Sequence, residues 1–208
     1  MTDTRLQRLA AALVSRPLVY DLVQELAGQE KVARRLRAAL AGMPHRRALD
    51  VGSAAGGFAF RLGVSPVCTD LDPRPLAALR RRRPGTRALV ANAGALPFPD
   101  GAFDLVLCLA VLHHLDDPTL EAVVAELARI SSGRVLVLEP LRNDARGVSR
   151  FLWRYDRGKH PRTRDQLLAA LSGRMEVVES AEFAVYHQYL MCVMRPGRFR
   201  AASPGPRR

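Results

Sequence analysis

Aromatic residues are scarce, at 6% of the chain with a single tryptophan, and only Lys31 and Lys159 among 32 basic residues are lysines. Cysteine is nearly absent too: Cys68, Cys108 and Cys192 are odd in number, far apart and set in apolar runs. Such usage excludes a disulfide framework and a zinc site, and it predicts a reduced, cytoplasmic protein without metal. No apolar stretch reaches the ~20 residues of a membrane-spanning helix. Arg8 and Arg16 interrupt the apolar positions of the first twenty residues, which therefore do not read as a secretory leader. There is no internal repeat.

What is present suits one folded domain. The chain has 208 residues, 48% of them apolar, enough to bury a core and to exclude disorder throughout. Its net charge is +12 and its isoelectric point about 11.0. That balance points to an anionic partner such as nucleic acid, a membrane surface or a phosphorylated substrate, or else to coding bias on a solvated surface. The densest run, Arg80 to Arg83, reads as a helix end, where cations offset the helix dipole. The Pro-, Gly- and Arg-rich stretch 196–208 is predicted to be a disordered basic tail.

Residues 5–41 read as helix with breaks near Pro17 and Gly28, so that 1–44 form a helical cap belonging to the same domain. Within it, Gln29 to Leu40 places Val32, Leu36, Ala39 and Leu40 on one stripe, and Gly42-Met43-Pro44 stops it. Short apolar runs follow: Ala48–Val51, Val64–Thr69, Ala88–Ala91, Phe103–Leu109 and Arg134–Glu139. They alternate with helical spacing, as in Thr119–Ile130. Buried strands alternating with helices predict an α/β, Rossmann-like open sheet, mostly parallel, with helices on both faces. Met175–Val185 and Tyr189–Met194 lie too close together for a crossover and predict a C-terminal antiparallel hairpin.

Two local signals point to a nucleotide-like ligand. In Ala48-Leu49-Asp50-Val51-Gly52-Ser53-Ala54-Ala55-Gly56-Gly57, a buried strand runs through small residues into a helix. Gly52 permits a tight turn and Gly56 lets a ligand lie against backbone. The next strand ends at Asp70, where a carboxylate can accept two ribose hydroxyls; Asp72 reads as a helix cap. A nicotinamide enzyme shares both features, but its fingerprint is GxGxxG, which this spacing does not match.

Further along, Leu96-Pro97-Phe98-Pro99-Asp100-Gly101-Ala102-Phe103-Asp104-Leu105-Val106 leads into Cys108-Leu109-Ala110-Val111-Leu112-His113-His114-Leu115. With the glycine turn and Asp70 in the same order, the chain resembles the class I S-adenosylmethionine-dependent methyltransferases. It is most similar there to the ubiquinone/menaquinone methyltransferase-like group (methyltransferase type 11). The resemblance covers about Arg46 to Pro140 and implies a methyltransferase domain over 45–195. It implies S-adenosylmethionine as cofactor, with S-adenosylhomocysteine as product. Asp50, Gly52, Ser53 and Gly56 would line its methionine end, Asp70 its ribose, Leu71 and Asn92 its adenine with Ala93 contributing backbone, and Leu109 the methionine moiety. Ala54 departs from the family's glycine, and Asn92 from its usual Asp.

The implied reaction is an in-line displacement at the methyl donor, needing a base only where the acceptor must lose a proton. His114, and less so His113, follow the fourth strand where such a base would sit. Tyr155, Arg157 and His160, in a cationic and aromatic stretch, and Tyr186 near the hairpin are candidates for a small acceptor, anionic or aromatic. A nucleic-acid methyltransferase is the alternative. However, the Asn/Asp-Pro-Pro-Tyr/Phe run of base-amino methyltransferases is replaced by Leu109-Ala110-Val111-Leu112, and Cys108 lacks the activating neighbours of a nucleophile. A non-catalytic cofactor- or partner-binding domain is the further alternative. The oligomeric state is not legible.

Overall fold

The computed structural model describes residues 28–142, 160–185 and 188–197. The helical reading of 5–27, the tail from 198 onward, and the candidates Tyr155, Arg157 and Tyr186 lie outside the described residues.

Helix α1 (Gln29–Leu40) starts at Gly28, whose left-handed backbone turns the chain into the helix, and buries the predicted stripe of Val32, Leu36, Ala39 and Leu40. The chain continues through β1 (Ala48–Val51), α2 (Gly57–Arg61), β2 (Val67–Asp70), α3 (Pro73–Arg82), β3 (Ala88–Val90) and β4 (Phe103–Leu109). A 3-10 turn (Leu112–His114), α4 (Asp117–Ile130), β5 (Ser131–Pro140), α5 (Arg164–Ser172), β6 (Met175–Ala184) and β7 (Gln188–Pro196) complete it. Asp72 and Asp116 cap α3 and α4 by accepting N–H bonds from Arg74 and Thr119, and Thr163 and Gln166 form a reciprocal capping box on α5.

The seven strands run in the order β3-β2-β1-β4-β5-β7-β6. Pairs among β1 to β5 are parallel, and β7 joins β5 and β6 antiparallel. An apolar run such as Phe103-Asp104-Leu105-Val106-Leu107-Cys108-Leu109 suits a strand covered on both faces. Leu105 and Leu107 face α1 and α2, while Val106 and Cys108 face α4 and α5. Chain order reverses between β1 and β4, and ligands of such sheets bind at the carboxyl ends flanking that reversal.

No helix intervenes between β3 and β4. Residues 91–102 lie instead against α4, where Arg129 donates to the carbonyls of Leu96 and Phe98 and to Asp100, and Glu126 accepts the Leu96 N–H at 2.7 Å. Phe98 packs edge-on against Phe103. The most distinctive stretch of the sequence is thus a buttress for the sheet.

Leu36 is fully buried between α1 and the sheet. Leu36→Ala should cost about 2–5 kcal/mol of stability in urea denaturation; a loss under about 1 kcal/mol would show that α1 is not integral to the core.

Candidate functional site

The glycine turn leaves β1 between the ends of β2 and β4. The Ser53 N–H and hydroxyl both donate to the Thr69 carbonyl, fastening the turn to β2. Gly52 has φ of +70° and lies under Val111: a Cβ there would come within 2.6 Å of Val111 Cγ2. Gly56 likewise has φ of +73° and is closed over by the Leu79 side chain. Ala54, in the position of the resemblance's missing glycine, also has positive φ, at 46°. Its N–H donates to Asp70 Oδ2 at 2.8 Å while the Asp72 N–H donates to Oδ1 at 2.9 Å. Each carboxylate oxygen of Asp70 therefore has one backbone donor and keeps a further lone pair. Leu71 next to it is 71% exposed.

Asp50 is buried, and no group among the described residues hydrogen-bonds its carboxyl. Burial, together with the neighbouring Asp70 carboxylate, pushes its pKa up to about 7. A buried acid without a donor is costly unless a cation or donor completes it.

The exit of β4 is held from two sides. Glu139, buried at the end of β5, accepts the N–H groups of Val111 and Leu112 on Oε1 at 2.7 Å each. Its Oε2 lies 2.8 Å from His113 Nδ1 and 3.3 Å from the His113 N–H. On the other side the nearly buried Arg162 donates to the carbonyls of Leu112 at 2.9 Å and Leu115 at 2.8 Å, and to Asp117. A carboxylate at the N–H end and a guanidinium at the C=O end match the dipole of the turn. Ala110, immediately before it, has φ of +57°, and its N–H donates to the Leu138 carbonyl.

Of the predicted residues, Asp50, Gly52, Ser53, Gly56, Asp70 and Leu109 gather at the ends of β1, β2 and β4. Asn92 and Ala93 follow β3. Asn92 Oδ1 accepts the Gly94 N–H at 2.9 Å and keeps a further lone pair. His113 is buried and fixed on Glu139, whereas His114 is exposed, with its ring 4.0 Å from that of His113. The His160 N–H donates to the His113 carbonyl, and its side chain lines a groove of about 850 Å³ between α4 and α5, with Leu120, Val124, Arg162 and Ala170. Glu139, Arg162 and Val111 were not legible as a unit; the one signal was a carboxylate ending the apolar run Val135–Leu138.

Residues 49–137 match a family described as "Methyltransferase domain". The chain is 30% identical over 145 residues to demethylmenaquinone methyltransferase of Renibacterium salmoninarum, covering 66% of this chain and 60% of that one. It is 31% identical over 175 residues to malonyl-[acyl-carrier protein] O-methyltransferase of Enterobacter lignolyticus, covering 80% and 68%. The chain spans between 47% and 60% of the length of the demethylmenaquinone methyltransferases first matched. Magnesium protoporphyrin IX methyltransferase of Synechocystis, solved with S-adenosylhomocysteine bound, shares the fold at a TM-score of 0.64 and 15% identity, over 82% of this chain and 84% of that one.

Asp50 carries a pH signature. With a folded pKa of about 7 against an ordinary 3.8, the folded chain retains a proton that the unfolded chain has released. Stability therefore falls as pH rises from about 4 to 7, and the penalty is complete above 7. Asp50→Asn should be about 2–4 kcal/mol more stable than the parent at pH 8, a gap that closes near pH 4; equal urea midpoints at pH 8 would show the carboxyl to be solvated. Glu139→Gln turns amide protons toward backbone donors and should cost about 2–4 kcal/mol, read in the same assay. A loss below about 1 kcal/mol would mean the turn holds without it.

Proposed function

This chain belongs to the class I S-adenosylmethionine-dependent methyltransferases, in the group that includes the ubiquinone and menaquinone methyltransferases, and we propose that it transfers a methyl group to a small-molecule acceptor. The observation that carries this is the buried, unpartnered carboxyl of Asp50 beside the left-handed turn at Gly52. A cationic, zwitterionic ligand completes such a carboxyl, and S-adenosylmethionine fits.

The residues divide the work as follows. Asp50, ionised, would hold the ammonium end. Asp70, oriented by the Ala54 and Asp72 N–H groups, would accept the ribose hydroxyls on its remaining lone pairs. Leu71 would cover one face of the adenine. Asn92 Oδ1, oriented by the Gly94 N–H, would accept from its exocyclic amine on the remaining lone pair. Ser53 and Gly56 keep the turn against β2 and α3, and Ala93 would contribute backbone. The cofactor supplies an electrophilic sulfonium methyl. Leu109, with Val111 over Gly52, would exclude water beside it, and alignment of the acceptor supplies most of the rate.

Where the acceptor must lose a proton, we assign that proton to His114, whose exposure at the β4 exit supports the role; His113, fixed on Glu139, positions the turn. The acceptor would enter from the side of His160, and the composition of the candidates Tyr155, Arg157, His160 and Tyr186 favours an anionic or aromatic molecule. The relatives named for demethylmenaquinone and for malonyl-[acyl-carrier protein] bracket that range.

Calorimetric titration of the whole chain with S-adenosylhomocysteine, S-adenosylmethionine and NAD tests the reading. Micromolar binding of the first two and none of NAD is expected; heat from NAD alone, or from none of them, would overturn it. Asp70→Ala should weaken S-adenosylhomocysteine at least ~10-fold through the lost ribose bonds, with the fold retained.

A further inference from the structure

We propose that the α3–β3 edge of the sheet is a docking surface for an anionic lipid bilayer. Charge among the described residues is segregated by architecture. Residues 28–99, from α1 to the loop after β3, hold thirteen Lys and Arg against one Glu and three Asp, and two of those four acids, Asp50 and Asp70, belong to the candidate site. Residues 100–142 and 160–197 reverse the balance, with seven Arg against eleven Asp and Glu. The sheet thus has a basic edge at β3 and an acidic edge at β6, where Glu176, Glu179 and Glu182 lie.

The basic edge has a second property. Leu89 at 40% and Val90 at 50% exposure are two of the four exposed large apolar residues among those described, and a third, Leu71, is left to the candidate cofactor site. No helix covers β3 on the α4 face, which leaves Leu89 open. Around these residues lie Arg74, Arg80, Arg81, Arg82, Arg83 and Arg87, and no acidic residue occurs between 73 and 99. Arg74 is held by Asp72, the Arg80 guanidinium caps the Ala88 carbonyl and Arg83 lies over the Phe60 ring. Arg81 and Arg87 are exposed, and neither pairs with an acidic side chain among the described residues.

Aliphatic side chains ringed by arginines match the interface of a bilayer, where methyl groups enter the headgroup layer and guanidiniums meet lipid phosphates. A single-stranded nucleic acid would call for exposed aromatic platforms, and the one ring here, Phe60, is already covered by Arg83. A second copy would bring either the same positive charge or a β6 edge whose Glu176 and Glu182 already pair with Arg195 and Arg164. The proposal is independent of the methyltransferase reading.

Co-sedimentation of the full chain with vesicles is the test. Phosphatidylcholine vesicles containing about 30% phosphatidylglycerol should bind at least ~10-fold more strongly than pure phosphatidylcholine, and high salt should abolish the difference. The double variant Arg81→Glu, Arg87→Glu should lose ~10-fold or more, while Arg81→Lys, Arg87→Lys retains binding. Leu89→Ser should weaken vesicle binding and leave heparin binding unchanged. Affinity for S-adenosylhomocysteine should be untouched in every variant, which separates this result from the fate of the cofactor reading. Equal binding to neutral vesicles would overturn the proposal. So would RNA binding without vesicle binding, or self-association relieved by the Arg81 and Arg87 reversals.

Discussion

The constraint on which the site depends is the buried carboxylate of Glu139. An ionised group taken out of water is costly unless its lone pairs are filled, and here backbone N–H groups of Val111, Leu112 and His113 and the His113 ring fill them. Satisfying that carboxylate fixes the direction in which the chain leaves β4. Val111 is thereby set over Gly52, so the exits of β1 and β4 are shaped against one another. Arg162 acts from the opposite end of the same turn and, through Asp117, ties it to the start of α4. The His160 N–H on the His113 carbonyl adds the lead into α5 to the same assembly.

Much of the architecture was legible because it rests on periodicity. Gln29–Leu40, Ala48–Val51 and Phe103–Leu109 appear with the boundaries their apolar patterns predict. Boundaries moved where pairing rather than composition decides them. β5 begins at Ser131, because Ser131 pairs with Phe103 ahead of a register irregularity, and β2 begins only at Val67, where β1 is first reached. The α/β class and the antiparallel end follow the expected order.

The site was legible where a motif is contiguous and illegible where it is assembled. Asp50, Gly52 and Asp70 each sit at the end of a short apolar run, and strand ends are where a parallel sheet gathers its ligands. Glu139 meets Val111 and Arg162 meets Leu112 across 28 and 50 positions, and neither pairing leaves a trace in local spacing. Ala54 was legible as a departure, but its consequence was not: it occupies a left-handed backbone disfavoured for side chains, and its N–H orients Asp70. The LPFPDG stretch carried the resemblance, and its observed work is mechanical, clasped by Arg129 and Glu126.

The three cysteines lie in β2, β4 and β7, near one edge, at the centre and toward the other edge of the sheet, all buried. Burial holds each thiol well into the protonated range, about 11 for Cys68 and Cys192 and higher for Cys108. A protonated, enclosed thiol is inert to alkylating reagents until its strand is uncovered. The molecule therefore carries three intrinsic clocks of opening, spaced across one sheet. Their order of labelling would reveal whether the sheet peels from a margin or parts as a whole.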